Sequence, residues 1–186
     1  LDSVSVLREI RHQGLKDVAA APVCDPGVVQ SMIEHGVSSE IEVELGEKIP
    51  TPAIADVKQP LRLRGRVRAI CHEDIIVSGP VFTGTRLKIG PTALLEADGL
   101  QIVVTSNRVE PYDPGIFHCV GVDPRQKRFI VLKSRMQCKP AFMQFAKGYI
   151  DCNGTGVSTS DYTVFNYRKL RRPIYPFDSN ATWAPN

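Results

Sequence analysis

Apolar and polar residues change their periodicity several times along this chain, and each change marks an element. Val4, Leu7 and Ile10 recur at helical spacing with Arg11 beside them, so a helix with its apolar side inward is expected up to Gly14. Val18 to Val23 (VAAAPV) is an apolar run of small residues and reads as a strand. Asp25-Pro26 then forms a helix start, because the carboxylate can accept from the free N–H groups of the first turn and proline suits the first helical position. Val28, Val29, Met32 and Ile33 give that helix its buried stripe, and Gly36 ends it. Ile41, Val43 and Leu45 alternate with Glu40, Glu42 and Glu44, the pattern of a strand with one wet face.

The stretch from Gly46 to Pro60 holds three prolines and is expected to be an exposed loop. Leu61, Leu63, Gly65, Val67 and Ala69 then alternate with Arg62, Arg64, Arg66 and Arg68. The arginine row can be read as an anion or nucleic-acid platform; the reading preferred here pairs it with the three glutamates across a neighbouring antiparallel strand. Ile75 to Val77, Arg86 to Ile89, Thr92 to Glu96 and Leu100 to Thr105 follow as strands, with Asp98-Gly99 as the tight turn between the last two. Asp113-Pro114 repeats the cap-plus-proline start for a short helix through Phe117. Phe129 to Leu132 is the kind of short apolar run that is buried on both faces of a sheet. Beyond Pro140, Phe142, Phe145, Ala146 and Tyr149 predict one apolar helical face. The proline-rich end is expected to wrap the surface, anchored by Ile174, Tyr175, Phe177 and Trp183. Together these elements predict an α/β fold: a mixed β-sheet flanked by helices, one domain over residues 1–178 and a tail over 179–186.

Composition narrows the function classes. With 42% hydrophobic and 23% charged residues the chain has ordinary globular composition. A net charge of +3 is too mild for a nucleic-acid binder, and no apolar run approaches the roughly 20 residues that span a bilayer. The five cysteines (Cys24, Cys71, Cys119, Cys138, Cys152) form no CxxC pair and are read as reduced, mostly buried thiols of a cytoplasmic protein. Leu1 opens directly into what looks like a helix, so the start reads as a cut inside a longer protein. Asn153 and Asn180 fit the glycosylation pattern, which carries little weight without a secretory signal.

Little of the chain carries familiar catalytic spacing. His12, His35, His72 and His118 are scattered without HxH or HExxH spacing, and no GxSxG elbow, Walker loop or GxGxxG appears. Cys138 near a helix start is a candidate nucleophile, with a plain buried thiol the preferred alternative. The best site signal is polar residues where strands end, since open α/β sheets bind ligands outside the carboxyl ends of their strands. Two such ends occur: Thr105, Ser106, Asn107 and Arg108 after one strand, Lys133 and Ser134 after another. Lys133 and Ser134 can bind a carboxylate or phosphate; otherwise Ser134 caps the next helix and Lys133 is solvated. The basic run Arg168 to Arg172 reads as a solvated segment.

DVAAAPVCDPGVV, LQIVVTSNRVEPYDPGIF, GVDPRQKRFIVLKS and YRKLRRPIYPFD, in this order and spacing, resemble the C-terminal domain of the MlrC (microcystinase C) family from about Asp2 to Asp178. The resemblance implies a zinc-dependent hydrolase of the metallopeptidase type, acting in bacterial degradation of the linearised cyclic peptide microcystin. It also implies that the metal ligands belong to an N-terminal domain and that this chain holds none of them. The expected partners are that N-terminal catalytic domain, a second copy in a dimer contact and a small peptide-like substrate, with neither nucleic acid nor membrane. Thr105, Ser106 and Arg108 match the family's TSRR-like strand end, with Asn107 in place of an arginine, and Lys133 and Ser134 match its KS pair. Ser106, Arg108, Lys133 and Ser134 are therefore the expected substrate-binding residues. Gln137 and Cys138 stand where the family often has His and Phe. The rival reading is a non-catalytic interaction or oligomerisation module.

Overall fold

A six-stranded mixed sheet forms the middle layer, and helices pack on both of its faces. The computed structural model describes residues 2–54, 58–152, 154, 156 and 159–182. In chain order the elements are α1 (Ser5–His12), β1 (Val18–Cys24), α2 (Pro26–His35), β2 (Glu40–Leu45), β3 (Leu61–Cys71), β4 (Ile75–Ile76), β5 (Arg86–Leu87), β6 (Thr92–Ala97), β7 (Leu100–Thr105), α3 (Gly115–His118), β8 (Phe129–Leu132) and α4 (Lys139–Phe142). The large sheet runs β2-β3-β6-β7-β1-β8, while β4 and β5 form a separate small ladder. Pairing is antiparallel from β2 to β7 and parallel where β1 meets β7 and β8.

β1 is the spine of the parallel half, and all seven of its residues are buried. Val18, Ala20 and Val23 join the core under α1 and α2, whereas Ala19 and Ala21 join the core under α3 and α4. Pro22 has no N–H for the ladder, and the register with β7 shifts between Ala20 and Val23, where the proline is accommodated. Asp25 caps α2 as its position predicts, its Oδ1 accepting from the Val28 N–H at 3.2 Å. Asp98 and Gly99 both take positive φ in the turn that joins β6 to β7.

The glutamate and arginine rows meet as expected. Glu40, Glu42 and Glu44 of β2 stand opposite Arg66, Arg64 and Arg62 of β3. Arg62 pairs with Glu44 at 2.8 Å, Arg64 with Glu40 at 3.0 Å, and Arg68 with Glu96 of β6 at 3.5 Å. Exposed pairs of this kind add little to stability, but together they occupy the arginine row. Gly65 sits in the middle of that strand because the neighbouring backbone leaves no room: a Cβ there would lie 2.5 Å from the Glu96 carbonyl oxygen. Gly65→Ala is therefore expected to destabilise the chain by about 2 kcal/mol, as overpacking does, read as a lower midpoint in urea.

Four expectations need correction. β8 is half-buried throughout because it is an edge strand, with β1 on one side and, among the described residues, no further strand on the other. The helix after Lys139 stops at Phe142: Phe142 and Phe145 pack with ring centroids 5.7 Å apart, but Tyr149 lies beyond the helix and is 40% exposed. The loop after β2 is not simply exposed, since Glu47 and Ile54 are buried and Ile54 bridges to Phe165 of the tail. In the tail, Phe177 packs on Tyr167 with centroids 5.2 Å apart, whereas Tyr175 is 82% exposed and anchors nothing. Ile174 is also on the exposed side, and Trp183 and Asn153 lie outside the described residues.

Candidate functional site

β1, β7 and β8 are parallel, so their carboxyl ends emerge at one edge of the sheet. Those ends are Cys24-Asp25, Thr105-Ser106 and Leu132-Lys133. Because β1 lies between the other two, the Ser106 and Lys133 ends stand two strand spacings apart, about 10 Å.

Lys133 continues β8 by donating its N–H to the Ala21 carbonyl at 3.0 Å. Phe129 and Val131 point into the core under α1 and α2, and the alternation of a strand carries Lys133 to that same face. There its Nζ donates to the Ser3 carbonyl, near the carboxylates of Asp2 and Glu47. Burial lowers the lysine pKa to about 8, and the two carboxylates act in the opposite sense without cancelling it. Lys133 is thus not a solvated surface lysine.

Ser134, one residue on, faces the opposite side of the sheet. Its hydroxyl donates to Glu110 Oε1 at 2.9 Å, and its carbonyl accepts from the Cys138 thiol at 3.5 Å. It does not cap α4, which has no side-chain cap. Ser106 donates both its N–H and its hydroxyl to the Pro91 carbonyl, at 3.0 and 2.7 Å, closing the entry to β6. Asn107 similarly donates its side-chain amide to the Lys88 carbonyl at 3.1 Å. Arg108 is exposed and, among the described residues, forms no ion pair; its guanidinium is close enough to Cys24 to oppose the rise that burial causes in that thiol's pKa. The four expected residues therefore divide: two serines engaged in holding loops, one guanidinium without an ion pair among the described residues, and one half-buried amine.

A polar network beside Lys133 was not legible as a site in the sequence. Asp25 is 4% exposed; besides capping α2, its Oδ2 accepts from the Gly46 N–H at 2.9 Å and from Lys48 Nζ at 2.8 Å. Glu47 is 5% exposed, accepting from the Val4 N–H at 3.3 Å, the Gln59 N–H at 3.0 Å and Arg8 at 3.4 Å. Its own N–H donates to the Asp2 carbonyl at 2.9 Å, and Asp2 Oδ2 accepts from the Ile49 N–H at 3.0 Å. These bonds tie the first residues, the end of β1 and the loop after β2 into one support under Lys133. The weak sequence signal was Gly46-Glu47-Lys48, charges placed directly after a strand.

Cys138 is 1% exposed with its thiol pKa raised by burial, which suits an inert core thiol rather than a nucleophile. His35 Nδ1 lies 2.8 Å from the Ser31 carbonyl and His12 3.9 Å from Glu9, both at helix ends. Among the described residues no three His, Cys, Asp or Glu side chains gather as a metal site. A shallow hollow of about 690 Å³ lies at the opposite end of the sheet, lined by Asp17, Glu40, Arg64, Arg66, Glu96 and Lys127. Its charges are mostly paired with each other, and it is remote from the strand ends described above.

A mixed α/β domain with a polar cluster at the carboxyl ends of its parallel strands is a ligand-binding architecture. The chain belongs to the MlrC family: the family model described as "MlrC C-terminus" matches residues 1–169. It is similar to Microcystinase C of Sphingomonas sp, with 25% identity over 177 residues, covering 95% of this chain and 32% of that protein. It is also similar to a crystal structure, at 2.13 Å resolution, of a protein from Mesorhizobium sp. BNC1 assigned as a metallopeptidase. That match has a TM-score of 0.75 and 26% identity, covering 98% of this chain and 35% of the other. The chain thus spans about a third of the length of these relatives. Among the described residues no helix is long and apolar enough to cross a membrane.

Proposed function

We propose that this chain forms one wall of the substrate cleft of a metal-dependent, metallopeptidase-like hydrolase, in which Arg108 and Lys133 orient a carboxylate or carbonyl of a peptide-like substrate. The observation that carries this reading is the pair of cationic side chains at strand ends on either side of β1. Arg108 has no ion pair among the described residues, and Lys133 is held in a polar support. A guanidinium can grip a carboxylate through two parallel hydrogen bonds, and a poorly hydrated amine can donate strongly to a carbonyl. Ser106 and Ser134 serve this wall by positioning the two strand ends through Pro91 and Glu110.

We assign the metal, zinc, to the remainder of a full-length cytoplasmic bacterial protein; among the described residues no three His, Cys, Asp or Glu side chains gather as a metal site. The partner of this wall is then the N-terminal catalytic domain, with a homodimer contact as a further role. The internal use of both serine hydroxyls favours one feature of the rival reading, a module whose polar strand ends are structural. Kinetics on the full-length metal-loaded protein with a linear peptide separates the two. Arg108→Ala and Lys133→Ala are each expected to lower kcat/KM on the order of tenfold or more with metal content unchanged, as loss of a charge-assisted hydrogen bond does. Unchanged kcat/KM in both variants would leave the structural module as the correct reading.

A further inference from the structure

α3 is pressed against the corner between β3 and β4. A Cβ on Gly115 would lie 2.5 Å from Ile75 Cγ2 and 2.7 Å from Asp113 Oδ1, so the helix approaches this closely only because that residue is glycine. Residues four apart share a helix face, and the Cys119 N–H donates to the Gly115 carbonyl at 3.0 Å. Cys119 therefore follows Gly115 onto the same corner. Cys71, the last residue of β3, is already there. The two cysteines line one cavity of about 370 Å³ together with Ile75, Asp113 and Gly115. Each is half-buried, neither is in a disulfide, and both pack at the margin of the core under α3 and α4. Burial first, and then the neighbouring Cys71 thiol, push the Cys119 thiol up to about 12.

We infer that Cys71 and Cys119 form an oxidisable dithiol site, which a low-molecular-weight disulfide entering the cavity converts to an intramolecular disulfide. The inference is independent of the substrate cleft. Cys71 attacks first, because burial holds the proton on Cys119. Its thiolate displaces one thiol from the oxidant and leaves a mixed disulfide on Cys71. Cys119 loses its proton as it attacks that bond and releases the second thiol. One protein S–S bond forms, two protein S–H bonds are lost, and the oxidant's S–S bond is reduced to two thiols that carry the protons. The new bond pins α3 to the end of β3, and with it Asp113, whose carboxylate holds the Ser78, Gly79 and Gly115 N–H groups at 2.9, 2.6 and 2.6 Å.

The test is to incubate the folded chain with oxidised glutathione near pH 8 and follow intact mass, thiol alkylation and peptide maps. The expected product is lighter by about 2 Da, has lost two of its five alkylatable thiols, yields a peptide joining residues 71 and 119, and reverts with dithiothreitol. Cys71→Ser and Cys119→Ser are each expected to abolish the linked peptide. Glutathione adducts confined to the exposed Cys152, or a lasting mixed disulfide on Cys71 without linkage to Cys119, overturn the inference. The wild-type peptide map alone decides between these outcomes, so the test stands even if a serine variant folds poorly.

Discussion

Replacing Asp25 by alanine is expected to lower the unfolding free energy by roughly 3 kcal/mol, from a lost helix cap and a stranded backbone donor. The carboxylate serves three partners from a position 4% exposed: the Val28 N–H, the Gly46 N–H and Lys48 Nζ. Loss of the cap costs about 1 kcal/mol in most helices. The Gly46 N–H would remain buried without an acceptor, and such a group typically costs about 1–3 kcal/mol. Lys48 is 44% exposed and can turn to water, so it adds little. Asp25→Asn keeps a side-chain oxygen for the cap and is expected to recover about half of the loss. Urea unfolding of the three proteins measures this. Equal stability of the alanine variant and the parent would mean that Asp25 does not tie α2 to the loop after β2.

The second large effect depends on pH. Lys133 has its pKa lowered to about 8 by burial, against an ordinary lysine value of 10.5 in the unfolded chain. Below pH 8 both states hold the proton, and the folded state bears the cost of a half-buried ammonium. Between about pH 8 and 10.5 the folded state releases the proton while the unfolded state keeps it, so the unfolded state binds more protons and stability rises with pH. Above 10.5 the contribution levels off. Across that window the gain is roughly 3 kcal/mol. Other lysines and tyrosines titrate in the same range, so the parent is compared with Lys133→Met, which keeps the apolar stem. The parent's stability relative to the variant should climb by that amount from pH 7 to 10.5, in thermal or urea unfolding. A difference independent of pH would show that the amine is hydrated.

Much of the fold was legible because each signal was local. The alternation of Glu40 to Leu45 and of Leu61 to Ala69 needs only the period of a strand, and the opposite charges of the two rows already implied their pairing. Asp25-Pro26 and Asp98-Gly99 are local chemistry as well, and both appear as a cap and a turn. The errors arose where neighbours decide. Phe129 to Leu132 has the composition of a strand buried on both faces, but its place at the sheet edge leaves it half-exposed. Phe145 and Tyr149 keep a helical period that the chain abandons after Phe142.

The candidate site divides along the same line. That two strands end in polar residues, with Ser106, Arg108, Lys133 and Ser134 at those ends, can be read from the order of residues alone. The family is readable in the same way, through ordered blocks that the match over residues 1–169 bears out. What each polar group does depends on the folded arrangement. It put Lys133 beside Ser3 and Glu47, residues 130 and 86 positions away, and it engaged Ser134 with Glu110 across the other face of the sheet. It also brought Cys71 to Cys119. The physical reason is that burial and charge are properties of surroundings: a lysine at a strand end is solvated or desolvated according to which distant segments close over it, and nothing in its own neighbours along the chain records that.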